Sequence, residues 1–293
     1  MTRIEVQLEL HYEVDAFGAD FVFNLHAAFT PQQAVWNERL TLNQPVPTLL
    51  HADPATGTRF LRLSALPGPL TLGYSAAIEL THFFADPLLL TEQPVPALPP
   101  EVLPYVFPSR YCESDRLVKF AIAEFGHLPR GHGRAQAICD WVRGHVTYAA
   151  NTTDTNTSAA NTLLDRVGVC RDFAHLMIAL CRAVNLPARF ATGTDYGAMP
   201  ANGRLDFHAY VEVWLGDRWY LFDPAGTAIP MALIRFGTGR DAADVAFATI
   251  FGNVISRAPD VRAVAIEDLD RGVTLPWHCW QALSTDAGPG RRY

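Results

Sequence analysis

The sequence predicts an α+β protein. An antiparallel β-sandwich-like domain is expected over residues 1–93, a proline-rich linker over 94–110, and a second domain over 111–293 in which helices precede strands. Three observations carry this. Apolar and polar residues alternate through the first ninety positions, the period of half-buried strands. Pro94, Pro96, Pro99, Pro100, Pro104 and Pro108 then crowd a stretch that can be neither a helix interior nor a central strand. Beyond them the apolar period lengthens to that of helices.

In the first region Ile4, Val6, Leu8 and Leu10 mark the opening strand. Runs at 21–29, 35–42, 59–65 and 70–80 follow. The last sets Leu70, Leu72, Tyr74, Ala76, Ile78 and Leu80 on one face. Turn material at 15–18, 54–57 and 67–69 separates the runs, and short strands joined by turns point to an antiparallel sandwich. After the prolines, Ser114 is the expected N-cap of a helix carrying Leu117, Val118, Ala121, Ile122 and Phe125 on one face. A second helix is expected over 133–145 with Ile138, Trp141 and Val142 inward. A polar loop, 151–158, reads as a solvated connector, and a short helix over 158–166 leads to Gly168-Val169-Cys170. A third helix, 170–184, is closed by Asn185 and stopped by Pro187; His175, Met177 and Ile178 read as packing residues within it. Strands are expected over 188–192, 207–215 and 218–222. From Pro224 onward the pattern is mixed and assigns no elements.

Composition excludes several classes of function. Of 293 residues 49% are hydrophobic and 18% charged, so the chain can bury a sizeable core and is not disordered. The net charge of −7, without a basic run, argues against a nucleic-acid surface. No membrane span is expected: the most apolar helical stretch, 173–184, is broken by His175 and Arg182. The first ten residues alternate charge with apolar groups and lack the continuous apolar run of a secretory signal. The five cysteines, at 112, 139, 170, 181 and 279, are scattered, with no Cys-x-x-Cys pair. Neither a disulfide framework nor a structural zinc site is suggested, and the expectation is a cytoplasmic protein with no metal. No phosphate loop or dinucleotide fingerprint is present, so no cofactor is expected. The isolated His-Cys pair in Trp277-His278-Cys279-Trp280 does not make a metal site.

Cys170, His208 and Asp223 stand out together. Cys170 follows a glycine-containing turn and opens a helix, where free backbone N–H groups favour an anion and so a thiolate nucleophile. Arg171 adds to this and Asp172 opposes it. A small buried hydrophobe is the ordinary role of a free cysteine, and on the residues alone both readings stand. Gly216-Asp217 forms a two-residue connection between Leu215 and Arg218. If those two face each other, 210 faces 223, and His208 shares a hairpin face with Asp223 as a diagonal neighbour, roughly 7–8 Å away at Cα. Asp223 can then orient one imidazole nitrogen and leave the other for a thiol.

The blocks around these residues resemble a known family. Gly168-Val169-Cys170-Arg171-Asp172-Phe173-Ala174-His175-Leu176, with Asn185-Leu186-Pro187-Ala188-Arg189-Phe190, is similar to the core motif of the transglutaminase-like superfamily. So are Phe207-His208-Ala209-Tyr210-Val211-Glu212-Val213-Trp214 and Trp219-Tyr220-Leu221-Phe222-Asp223-Pro224-Ala225. Gly239-Arg240-Asp241 and the β-rich start resemble its bacterial branch. The resemblance implies a papain-like fold with helices packed on an antiparallel sheet, Cys170 as nucleophile, His208 as base and then acid, and Asp223 as its orienting group. Thr194-Asp195-Tyr196 departs from the relatives, which often have Gly-Tyr there.

The expected reaction is attack of the thiolate on a peptide or isopeptide amide to give a thioester, with a peptide or protein as substrate. Hydrolysis by a cysteine protease or amidase is the first reading. Transfer of the acyl group to a primary-amine acceptor, as in a transglutaminase, is the second, and a non-catalytic peptide-binding module is the third. The Cys170 N–H is the natural oxyanion donor; Tyr148, Asn151 and Trp141 are candidates for the second.

Overall fold

The computed structural model describes residues 1–197 and 205–286. The first part of the chain contributes seven strands: β1 (Thr2–Val14), β2 (Ala19–Phe23), β3 (Gln33–Leu42), β4 (Thr48–Ala52), β5 (Arg59–Ala65), β6 (Gly68–Leu80) and β7 (Phe83–Ala85). β1 buries alternate residues from Thr2 to Val14, and β6 does the same from Leu70 to Leu80, as the alternation predicts. β1 and β6 pair along their full length, Thr2 opposite Leu80 and Val14 opposite Gly68. β3 flanks β6, while β2, β5 and β4 form a second antiparallel sheet. The buried faces meet in one core, where the Tyr12 ring lies 5.1 Å from Phe21. Each fully buried Leu or Phe there contributes roughly 1.5–3 kcal/mol. The second strand ends at Phe23, short of position 29, because Asn24 and Ala28 give their N–H groups to Phe247 and Arg235. β4 gave no signal, since every one of its residues is exposed.

The proline-rich stretch is a packed strap. Leu98 and Val102 bury against Trp214 and Trp219, and the Trp214 indole donates to Gln93 Oε1 at 3.0 Å. Beyond it come α1 (Ser114–Phe125), α2 (His132–His145), β8 (Thr147–Tyr148), α3 (Ala159–Asp165), β9 (Val167–Gly168) and α4 (Cys170–Ala183). Ser114 is the first helical residue of α1, not its cap, and the buried stripe is narrower than the apolar one: Leu117, Ala121 and Phe125 face inward while Val118 and Ile122 are exposed. α4 is buried from Asp172 to Ala183 and forms the centre of this half. It ends where Asn185 adopts a left-handed conformation (φ 63°) and the Leu186 N–H bonds back to Cys181. α4 packs on β10 (Ala188–Asp195) and β11 (His208–Leu215), which with β12 (Arg218–Phe222) and β13 (Leu233–Gly239) make an antiparallel sheet in the order β12-β11-β10-β13.

The region without sequence signal supplies strands to the other half. β14 (Ala248–Phe251) pairs with β2; β15 (Val254–Ser256) and β16 (Asp260–Ile266) pair with β1; β17 (Ala282–Ser284) pairs with β7. Residues 248–266, assigned with the second domain on sequence, are thus strands of the sandwich. Ile234 and Phe236 of β13, with Ala232 just before it, extend its core. Among the described residues no helix is long and apolar enough to cross a membrane.

Candidate active site

Cys170 is half-buried at the first residue of α4. A two-residue parallel pairing of β8 with β9 sets Tyr148 opposite Gly168 and brings both to the head of this helix. Gly168 is required there, because a Cβ would sit 2.7 Å from Cβ of Asp172. Asp172 turns back to accept from the Val169 N–H at 2.9 Å and from Thr153 Oγ1 at 2.7 Å. Its other oxygen takes two bonds from the Arg171 guanidinium, at 3.2 and 3.0 Å. The carboxylate that sequence reasoning sets against a thiolate is therefore a cap neutralised by its neighbour. Arg171 also donates to the Asp154 carbonyl at 2.7 Å, so the 151–158 loop is tied to the start of α4.

The β11–β12 hairpin has the register deduced from its turn, Leu215 opposite Arg218 and Val211 opposite Phe222. It brings His208 Nε2 to 3.2 Å from Asp223 Oδ1, both groups buried. Asp223 also accepts from the N–H groups of Ala225 (3.1 Å) and Ala228 (3.2 Å). The imidazole also lies close enough to the Cys170 thiol for the sulfur to raise its pKa. Since Nε2 is engaged by Asp223, Nδ1 is the nitrogen left for sulfur. Burial alone would lower the His208 pKa; the Asp223 hydrogen bond and the thiol outweigh it and carry it well above the usual imidazole value. Burial likewise raises Asp223, but His208 and the backbone N–H donors hold its carboxyl below the ordinary range. The Cys170 Sγ lies 4.0 Å from the Phe207 carbonyl oxygen.

Of the three oxyanion candidates, Tyr148 is the one beside Cys170: its pairing with Gly168 sets it at the head of α4, and burial raises its pKa to about 12, keeping it protonated. Trp141 instead stacks on His145 at 3.9 Å and packs on Phe120 at 5.3 Å. Asn151 is exposed in a left-handed turn. Tyr210, unremarked in the sequence, packs edge-on against His208 at 4.5 Å and donates to Asp195 Oδ2 at 2.9 Å. Its position two residues beyond His208, on the same face, is the signal that could have found it. Asp195, within the segment that departs from the relatives, thus supports the histidine's neighbour. Arg143 donates to the Asp223 carbonyl and packs on Gly226, where a Cβ would lie 2.5 Å from its Nε. Nothing in the sequence of α2 marks it.

His175 is a packing residue, stacked on Tyr111 at 5.0 Å, with Nε2 accepting from the Ala242 N–H at 3.1 Å; burial lowers its pKa to about 3. Gly239-Arg240-Asp241 lies at the back of α4, where the Arg240 carbonyl accepts from Arg182 at 2.6 Å. His278, Cys279 and Trp280 contribute to a cavity of about 210 Å³ that Asp223, His132 and Arg143 also line.

A buried helix opening at a cysteine and packed on an antiparallel sheet that carries a His–Asp pair defines a class, and comparison with known proteins agrees with it. Residues 123–224 match the family model of the transglutaminase-like superfamily. A crystal structure from Cytophaga hutchinsonii, described as a "Putative Cysteine Protease", is 35% identical, with 97% of each chain covered and a TM-score of 0.89. An uncharacterized Mycobacterium leprae protein is 33% identical over 117 residues, 38% of this chain and 41% of its own. One from Mycobacterium tuberculosis strain H37Rv is 36% identical over 112 residues, 34% of this chain and 35% of its own. The matches therefore span less than half the length of these curated relatives. The chain belongs to the transglutaminase-like superfamily.

Proposed function

We propose that the protein is a cofactor-independent thiol enzyme that cleaves peptide or isopeptide amide bonds through a thioester at Cys170. The observation that carries this reading is the 3.2 Å bond from His208 Nε2 to Asp223 Oδ1, which fixes the ring beside the Cys170 thiol at the head of α4. His208 takes the thiol proton and passes it to the leaving amine; Asp223 fixes the tautomer and stabilises the imidazolium. The Cys170 N–H and the Tyr148 hydroxyl stabilise the oxyanion. Water then enters with His208 as base, and the thioester opens to acid and free thiol. Hydrolysis is favoured over amine transfer by the description of the Cytophaga protein, similar along nearly the whole chain.

The test is intact-mass analysis of a peptide library incubated with wild type or Cys170→Ala, with and without an added primary amine. The expected result is cleavage by wild type only, with products unchanged by the amine. Amine adducts without cleavage would replace hydrolysis by acyl transfer. Full activity in Cys170→Ala would remove the thiol mechanism altogether.

A further inference from the structure

The residue leading into the His208 strand is held by the sandwich. Phe207 is half-buried, and its ring lies flat on that of Phe247, with centroids 4.4 Å apart and planes 8° apart. Phe236 meets it edge-on at 6.0 Å. Phe247 is anchored on both sides: its carbonyl accepts from the Asn24 N–H at 3.0 Å, the Ala246 carbonyl accepts from Asn24 Nδ2 at 3.0 Å, and the next residue begins β14, paired to β2. Asn24 directly follows β2. A strand of the sandwich thus grips one ring, which grips a second, whose backbone carries the carbonyl 4.0 Å from Cys170 Sγ and leads directly into His208.

From this geometry we infer that Phe247 is a positioning residue for the thiol–imidazole pair, and that the sandwich takes part in activating Cys170. The inference rests on the thiol-enzyme reading above. Proton transfer between sulfur and Nδ1 depends steeply on their separation, and a misplacement of about 1 Å can cost about 10²-fold. Two flat rings resist tilt as well as approach, so they fix the orientation of the 207 peptide as well as its distance. No charge reaches the pair from Phe247; it acts through Phe207 alone.

The experiment is the pH dependence of Cys170 alkylation by iodoacetamide, followed by peptide mapping, in wild type and in Phe247→Ala, Phe247→Leu and Phe247→Tyr. Phe247 is partly exposed, so a phenolic oxygen can reach solvent. In Phe247→Ala the rate at about pH 6, relative to that at about pH 9, is expected to fall about tenfold, because a displaced imidazole no longer supports the thiolate at the lower pH. Phe247→Tyr keeps the stack and should restore the wild-type ratio. Phe247→Leu fills the space without a flat ring and should restore it only in part. A merely structural contact would lower the melting temperature and leave this ratio alone. An unchanged ratio in Phe247→Ala, or full restoration by Leu, overturns the inference. If the alanine variant does not fold, the Leu and Tyr variants decide by the same criterion. A wild-type thiol that shows no alkylation at about pH 6 overturns the thiol-enzyme reading itself, whatever the variants do.

Discussion

The sandwich and the site-bearing sheet are both antiparallel, yet they are held together differently. β1 and β6 alternate buried and accessible residues, and their charges, such as the Arg3–Glu79 pair, stay partly in water. β10 and β11 are buried at every position, and charged residues are buried with them. Glu212 on β11 accepts from Arg189 Nε at 2.6 Å, Arg235 Nη1 at 3.1 Å and Thr285 Oγ1 at 3.3 Å. Arg189 also pairs with Asp286, and its guanidinium lies 4.3 Å over the Trp219 ring. One region relies on non-directional burial, the other on groups that each need a particular partner. Losses in the second should therefore be larger per residue and more specific.

The sharpest challenge to this contrast is to separate the regions. A chain of residues 101–293 leaves β14–β16 without their partners in β1 and β2, and strips the sandwich from Ile234 and Phe236. It is expected to show no cooperative unfolding transition; a native-like transition, with Cys170 still reactive, would mean the site-bearing half folds unaided. Next in size is Asp223→Asn, which should keep the fold and lower turnover by roughly 10- to 10⁴-fold, by analogy with other triads. Turnover within twofold of wild type would show that the His208–Asp223 bond does not serve the reaction. Glu212→Ala takes the shared buried carboxylate from two buried guanidinium groups, leaving Asp286 as their remaining acidic partner, and should cost about 3–5 kcal/mol in denaturant unfolding. A loss below about 1 kcal/mol would put this network on a par with surface pairs.

Smaller effects follow from pH and from the rim. The folded pKa of His208 is raised, so its charge contributes stability that is fully present below the unfolded value, about 6.5, and is lost as pH rises through the folded value. The stability difference between wild type and His208→Gln should accordingly shrink above about pH 6.5, by at most about 1.4 kcal/mol per pH unit. A difference that is flat above about pH 6.5 and grows as pH rises toward that value would mean the ring is buried neutral. Arg3→Gln, at the edge of the sandwich, should cost less than about 1 kcal/mol.

The same contrast explains what could be read in the sequence. β1, β5 and β6 were legible because one face meets water and the other does not, and a period of two records that difference. The β11–β12 register was legible because a two-residue turn fixes it by counting, which also brought His208 and Asp223 together. β13 was illegible: every one of its residues is buried, with Ile234 and Phe236 in the core of the sandwich, so no alternation remains. Val118 and Ile122 misled because apolar side chains on a helix need not be covered. Arg143 and Phe247 left no local trace at all, since each matters through a residue far away in the chain. Tyr210 and Asp195 fall between, visible in retrospect from strand parity but not from residue type.

The position of β1 has a consequence for how the protein is made. It leaves the ribosome ahead of the other strands of the sandwich, and β6 can pair with it early, once residue 80 has emerged. Its opposite edge is filled only by residues 254–266. Through most of synthesis that edge presents open backbone hydrogen-bonding groups, which invite pairing with a neighbouring nascent chain. Glu5, Glu9 and Glu13 recur along the exposed side of this strand. Their mutual repulsion between identical chains in register offers protection during an interval that the finished fold no longer displays.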